Sequence, residues 1–451
     1  MGSKNLESLF SKGRLVRVLH FLTAQGLTVV GNLLYGLLCV RLLPVADYAK
    51  FVVLFGVQGS LITLMDANLT ATVLPLVGDR VDDLQLIADY VASLQQLSQW
   101  VYGVVGLCLV FVFPFLVSHR GWSHMTVLTM IVTLLVSTWF IRLGSAYGSV
   151  LIIRRDRDMW YRGQLIASLG TLLLLVGCWA AHLLSAFAAI LINVSGIVFI
   201  GVFYFLRSRK LLLVRGQASR EKQRAIYKLA LPNIPQAVFF AVQGQVSLFL
   251  MTIFGRTGAV AGIGALGRLG QIFALFGYFN PLFIEPYFAK LPKSRLKRNY
   301  AVALLLAATV CTSAWLTAVA FPGMFLWVLG KQYRGLHHEM MIAMLASAIS
   351  AFSSVLWGIH SARKFVYWWT NICSVVLILL VQVLFIVKGD LGSMQTVLRL
   401  NLCTNAASLL INAVTGVYGL LRGARNVGHI QPVLPESPVE GSGYTELRTE
   451  P

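Results

Sequence analysis

The sequence predicts an all-α polytopic membrane protein of about twelve transmembrane helices, and three observations carry that fold class. Hydrophobic residues make up 57% of the 451-residue chain and charged residues only 12%, a balance foreign to ordinary soluble domains. From Leu15 to Leu421 apolar stretches recur at lengths near the ~20 helical residues that cross a hydrocarbon core. Finally, the basic residues alternate between sides in the manner of a multi-pass protein.

The predicted spans run in order over 15–40, 45–66, 98–117, 124–152, 161–182, 184–206, 229–254, 259–289, 300–321, 339–361, 364–387 and 391–421. The net charge of +20 suits either a nucleic acid or an anionic surface, and its distribution separates the two. With the N-terminus inside, the outer loops hold only Arg41, Lys50, Arg120, Arg256, Lys331, Arg334 and Lys388. Arg142, Arg268 and Arg399 fall within spans, and every other Lys and Arg collects on the inside. This asymmetry predicts cytoplasmic termini, with attraction to anionic membrane lipids as a secondary effect. No basic stretch sits in a folded polar domain, so nucleic acid is not an expected partner.

Arg207 to Lys228 is the one sizeable hydrophilic segment between spans. It divides the chain into a six-helix lobe over 1–206, a basic linker over 207–228 and a second six-helix lobe over 229–421. An even number of helices in each lobe gives both the same orientation, so a repeat would be parallel. The segment Asp79 to Gln99 reads as an amphipathic surface helix, and 422–451 as a disordered cytoplasmic tail. The first apolar run is long and carries Gln25 and Asn32, so it reads as a retained helix and not as a cleaved signal. The six cysteines fall singly in separate apolar stretches and read as small buried hydrophobes. Asn68-Leu69-Thr70 and Asn193-Val194-Ser195 match the glycosylation pattern by chance, at a helix end and inside a span.

Polar side chains in hydrocarbon are costly and should face a cavity or another helix. In the first span Arg17, His20, Gln25, Thr28, Asn32 and Tyr35 fall within about 140° of helical arc. In the seventh, Asn233, Gln236, Gln243 and Ser247 fall within about 80°. Matching stripes on the opening helix of each lobe point to a shared central cavity; interhelical hydrogen bonding is the competing reading. Arg142, Arg268 and Arg399 cannot shed their charge and need a carboxylate, a carbonyl, water or an anionic ligand. Snorkelling competes for Arg268, an ion pair for Arg142, and membership of the positive flank for Arg17. Asp66 and Glu285 approach the cytoplasmic side as ion-coupling candidates, with capping or interfacial pairing as the alternative.

Enzyme signatures are missing. The first outer loop, Arg41 to Lys50, holds one Asp, and the longest, about Pro322 to His338, is modest. There is no Walker loop, metal pattern or nucleophile elbow, so no cofactor, metal or catalytic residue is expected. His337-His338-Glu339 reads as a solvated helix start.

Three passages then resemble the Wzx-type polysaccharide flippases of the multidrug/oligosaccharidyl-lipid/polysaccharide (MOP) exporter superfamily. They are Arg41-Leu-Leu-Pro-Val-Ala-Asp47-Tyr48-Ala49 between the first two spans, Phe254-Gly255 through Gly262-Ile-Gly264-Ala-Leu-Gly-Arg268-Leu269, and Pro281 to Pro286-Tyr-Phe-Ala-Lys290-Leu291. With the span count and the central break, the resemblance covers about residues 10–425. Two departures stand out: Gln243-Gly244-Gln245-Val246-Ser247 where relatives often carry an Asp, and Gly264 where a Tyr is common.

The resemblance implies two six-helix lobes around a central cavity, and translocation of undecaprenyl-diphosphate-linked oligosaccharide across the bacterial inner membrane by alternating access. Arg17, Arg142, Arg268 and Arg399 are then expected to contact the diphosphate, which needs several charge-assisted hydrogen bonds. Gln25, Asn32, Asn233, Gln236 and Gln243 are expected to contact sugar hydroxyls. A proton or sodium gradient is a candidate drive, a polysaccharide polymerase a candidate partner, and a monomer the expected state. A drug/ion antiporter of the same superfamily would need acidic cavity residues, and a polymerase or ligase an essential outer-loop Arg or His, with Arg334, His337 and His338 as candidates.

Overall fold

A computed structural model describes residues 12–67, 69–78, 80–154, 156–274, 280, 284–365 and 367–422, with the backbone alone over 12–25 and at 157, 232, 274 and 286. The described chain is helical. Its first half comprises α1 (Lys12–Leu42), α2 (Val45–Asp66), the short α3 (Val73–Val77), α4 (Leu84–Val117), α5 (His124–Ile153), α6 (Arg157–Ala180), α7 (Ala186–Leu212) and α8 (Arg220–Ala230). The second comprises α9 (Ile234–Gln243), α10 (Val246–Phe254), α11 (Thr257–Gly270), α12 (Glu285–Lys290), α13 (Lys293–Ala320), α14 (Pro322–Leu329), α15 (His337–Arg363), α16 (Trp368–Lys388) and α17 (Met394–Arg422). Among the described residues nine helices are long and apolar enough to cross a membrane, or ten if α8 and α9, bent by 60°, count as one span. The chain is a multi-pass membrane protein.

Three expectations need correction. The amphipathic helix expected over Asp79–Gln99 is not separate. Asp83 caps α4 by accepting a hydrogen bond from Leu86 N, and the 34-residue helix is about 51 Å long, so its opening turns overhang a ~30 Å hydrocarbon core. The seventh span is not continuous: α9 ends at Gln243, and after Gly244 Gln245 turns its amide toward the notch of Gly56 and Gly59 on α2 before α10 resumes. Within the eighth span the α-helix ends at Gly270 and passes into a 3-10 turn over Gln271–Ala274, and 275–279 and 281–283 lie outside the described residues.

Packing follows small residues. In the first half α5 and α7 meet where Gly144 faces Gly201, and Gly148 faces Tyr204. In the second, α15 and α17 form the closest pairing. Helix α11 is wedged between the halves by glycines: a Cβ at Gly264 would lie 2.3 Å from Val52 of α2, and one at Gly270 2.4 Å from Ser347 of α15. Val52 thus occupies the space that a side chain at Gly264 would need.

The linker predicted over 207–228 is mostly helix. α7 continues to Leu212 and α8 starts at Arg220, leaving seven residues that lie on α4, where Asp89 accepts from Gln217 N at 2.8 Å and pairs with Lys222. We call this the linker end of the molecule.

Candidate functional site

The helices of the two halves enclose a cavity of two joined chambers. The deep chamber, about 750 Å³, lies between α2, α9–α11, α15 and α17; the chamber at the linker end, about 960 Å³, lies between α2, α9, α15, α16 and α17. Phe240, Ser350, Ser354, Asn405 and Ser408 line both, so they are continuous. The far end is closed by a core cluster including Tyr48, Phe51, Leu329, Tyr333 and Val397. Polar clasps reinforce it. Arg120 donates to the Thr252 and Met251 carbonyls at the end of α10, Gln332 donates to Val40 O at 2.9 Å, and Arg41 stacks on Trp327 at 5.0 Å. The cavity thus opens toward the linker end.

Arg268 is the one charged side chain lining the deep chamber among the described residues. It is 5% exposed, and its guanidinium lies 4.0 Å from the Phe55 ring centroid. Such stacking stabilises a desolvated cation without neutralising it. Among the described residues no carboxylate forms an ion pair with Arg268; its Nη1 donates to Gln271 Oε1 at 3.4 Å. Gly36 of α1 makes the room, since a Cβ there would sit 2.9 Å from Arg268 Cδ. Snorkelling does not describe this arginine, because it is buried between α1, α2 and α11.

The remaining polar lining is uncharged apart from Asp66. Gln243 accepts a hydrogen bond from Gln382, Gln236 donates to Asn371 at 3.5 Å, and Asn233 lines the mouth, exposed. Each side-chain amide offers two donors and an acceptor, so this wall can exchange partners with a polyhydroxylated ligand. Asp66 ends α2 at the linker-end chamber, half-buried and without an ion pair among the described residues.

The other expected residues lie elsewhere. Arg142 is buried outside both chambers, donating to Gln95 O on α4 at 3.0 Å and stacked on Trp139 at 4.1 Å. Its partners are a carbonyl and a ring, not the carboxylate of the competing ion-pair reading. Arg399 is exposed on α17 and lines neither chamber. Glu285 opens α12, half-buried and off the lining. Asn32 is exposed and off the lining. Among the described residues of the α1 stripe, Thr28 and Tyr35 meet the first half: Ser168 of α6 packs on Thr28, donating to its carbonyl, and Tyr35 donates to Ala189 O of α7. The side chains of Arg17 and Gln25 lie outside the described residues.

The strongest polar stripe was overlooked. Asn401, Asn405, Ser408 and Asn412 face the cavity from α17, opposite Ser347, Ser350 and Ser354 of α15. Their spacing of three and four residues is the helical period and was readable in the sequence.

This arrangement of helices matches known structures over most of its length. An inward-facing multidrug resistance MATE family transporter of the MOP superfamily superposes with a TM-score of 0.59 at 13% identity, covering 88% of this chain and 96% of that one. The chain has the fold of the MOP-superfamily transporters. The lipid II flippase MurJ, in an inward closed conformation, gives 0.53 at 12% identity over 89% and 87% of the two chains. An outward-facing MATE transporter gives 0.51 at 14% identity over 89% and 93%. No protein-family model matches the sequence, and no curated protein does. At these identities the likeness concerns the fold, and the cavity chemistry has to be read from this chain.

Proposed function

We propose that the chain flips undecaprenyl-diphosphate-linked oligosaccharide units across the bacterial inner membrane by alternating access. The observation that carries this reading is the deep chamber: one buried guanidinium, no carboxylate paired to it among the described residues, and a surround of amides and hydroxyls. A guanidinium held dry in this way is matched to a diphosphate, which it contacts through parallel charge-assisted bonds. A cationic drug would meet repulsion there instead.

In this reading the basic linker end faces the cytoplasm, and the cavity opens toward the leaflet where the glycan is assembled. The diphosphate rests at Arg268. Gln243, Gln236, Asn233 and the α17 stripe exchange hydrogen bonds with the sugars. Asp66, a carboxylate at the mouth, takes up the coupling proton or sodium ion as the lobes rock. Arg142 and Arg399 are left out of the substrate contacts, since neither lines a chamber.

Deleting the gene in its native host and fractionating undecaprenyl-linked species by leaflet tests this. Complete repeat units trapped on the cytoplasmic leaflet, restored by wild type and not by Arg268→Gln, are expected. Complete units reachable from outside but unpolymerised would identify a polymerase, and no lipid-linked accumulation would return the chain to the antiporters.

A further inference from the structure

A second, largely apolar cavity of about 700 Å³ lies in the first half, bounded by α2, α5, α6 and α7. Ile62, Leu74, Ile141, Ile152, Ile197 and Ile200 are among its walls. It is not a symptom of loose packing, because α5 and α7 touch closely beneath it, with Gly144 against Gly201 and Gly148 against Tyr204. Apart from Ile197, its lining on these four helices falls in their linker-end halves, about the depth of one leaflet. Ile62, Asp66 and Ala71 belong both to this cavity and to the linker-end chamber. The polar and apolar cavities therefore meet along the end of α2.

A ligand that fills both must be an amphiphile with a polar or anionic head and a hydrocarbon tail. The spacing suits a single molecule. Phe55, which stacks on Arg268, and Ile62 at the junction are seven residues apart on one helix, a separation of about 10 Å. A head held at Arg268 thus brings the first part of its tail to the opening.

We propose that this cavity seats the proximal polyprenyl tail of the same lipid whose diphosphate and glycan occupy the central cavity. The assignment rests on the flippase reading above. A phospholipid acyl chain from the bulk membrane has no need of the opening into the polar chamber, whereas a tail continuous with a bound head must pass through it. Closing α2 against α5 would then expel the tail as the head moves, so that head and tail travel together.

The test uses the full-length protein in nanodiscs with undecaprenyl diphosphate carrying a diazirine near the head end of its tail. A phosphatidylglycerol with a diazirine in one acyl chain serves as comparison. Labelled peptides are mapped by mass spectrometry, and binding is measured separately by quenching of tryptophan fluorescence. The polyprenyl probe is expected to label segments 140–153 and 197–204, with excess unlabelled undecaprenyl diphosphate cutting that labelling at least about tenfold. Ser145→Trp, which fills the cavity from α5, should reduce labelling similarly, and Ile197→Phe serves if that variant fails to fold. Saturable binding with labelling confined to other segments would overturn the tail site and leave the flippase reading standing. Equal, uncompeted labelling by the phospholipid would also overturn it. Absence of any saturable binding would overturn the flippase reading, and the tail site with it.

Discussion

Under the flippase reading, removing the Arg120 side chain should shift the balance between the inward- and outward-open states. Arg120 reaches across the far end from the first half and donates to Thr252 O at 2.7 Å and to Met251 O. Both carbonyls lie in the last turn of α10, where Thr252 O has no helical partner and the helix dipole favours a cation. Hydrogen bonds from a charged donor contribute about 1.5–3 kcal/mol each in buried settings. The site is only part-buried, so the two together are worth about 2–3 kcal/mol once solvent screening is allowed for. Since these bonds exist only while the far end is shut, Arg120→Ala should favour the opposite state by about 30- to 150-fold. The assay places Ser408→Cys, which lines both chambers, in a background without the six native cysteines. Thiol labelling in oriented vesicles should slow from the linker side and quicken from the other. Arg120→Lys, a point charge without the fork, should fall between. Unchanged labelling from both sides in a folded Arg120→Ala protein would refute the clasp.

Gly36→Ala should leave the melting temperature near wild type, because the atom it meets belongs to the flexible Arg268 side chain at 2.9 Å. Displacing one charged contact should weaken diphosphate binding by about 10- to 100-fold in a titration with undecaprenyl diphosphate. Arg142→Leu separates the two buried arginines. It should lower thermal stability by about 1–3 kcal/mol through the lost charge-assisted bond to the Gln95 carbonyl and the lost ring contact, and leave affinity for the lipid intact where Arg268→Gln abolishes it. Gly201→Ala puts a Cβ 2.8 Å from the Phe140 carbonyl, a backbone atom that cannot step aside. A loss of about 1–3 kcal/mol in a denaturation series is expected. Asp89→Asn removes the partner of Lys222 and weakens the acceptor of Gln217 N, so limited proteolysis within 213–219 should accelerate.

Much of the fold was legible because hydrocarbon is an unforgiving solvent: span lengths and the clustering of Lys and Arg follow from it directly. The breaks at Gly244 and Gly270 were not, since both are shaped by partners far away in sequence, the glycine notch of α2 and Ser347 of α15. Arg268 could be singled out as an intramembrane charge, and it does line the cavity. Arg142 gave the same signal, and only the coordinates reveal that Trp139, one turn earlier, and Gln95 occupy it. On α1 the period alone could not assign Tyr35, because a hydroxyl satisfied by a neighbouring carbonyl recurs with the same helical spacing as one that faces a ligand. The asparagines of α17 had the right period and went unread beside Arg399, which lies off their face.

The seating of the linker sets where the two halves can turn. Ile226 and Ala230 of α8 are fully buried in a cluster with Val73, Ile87, Val91, Val150 and Leu212, all from the first half, and Gly216 lies so close to the Ala88 carbonyl that a Cβ would overlap it. Segment 213–230 is therefore cargo of the first half and no slack tether. Beyond it the chain turns through the 3-10 segment Leu231–Asn233, across which α8 and α9 bend by 60°. In the flippase reading a rocking of the halves would bend at this turn, moving α9 with Asn233 and Gln236 at its root past the cavity mouth, while lengthening 213–219 should leave the stroke unaltered.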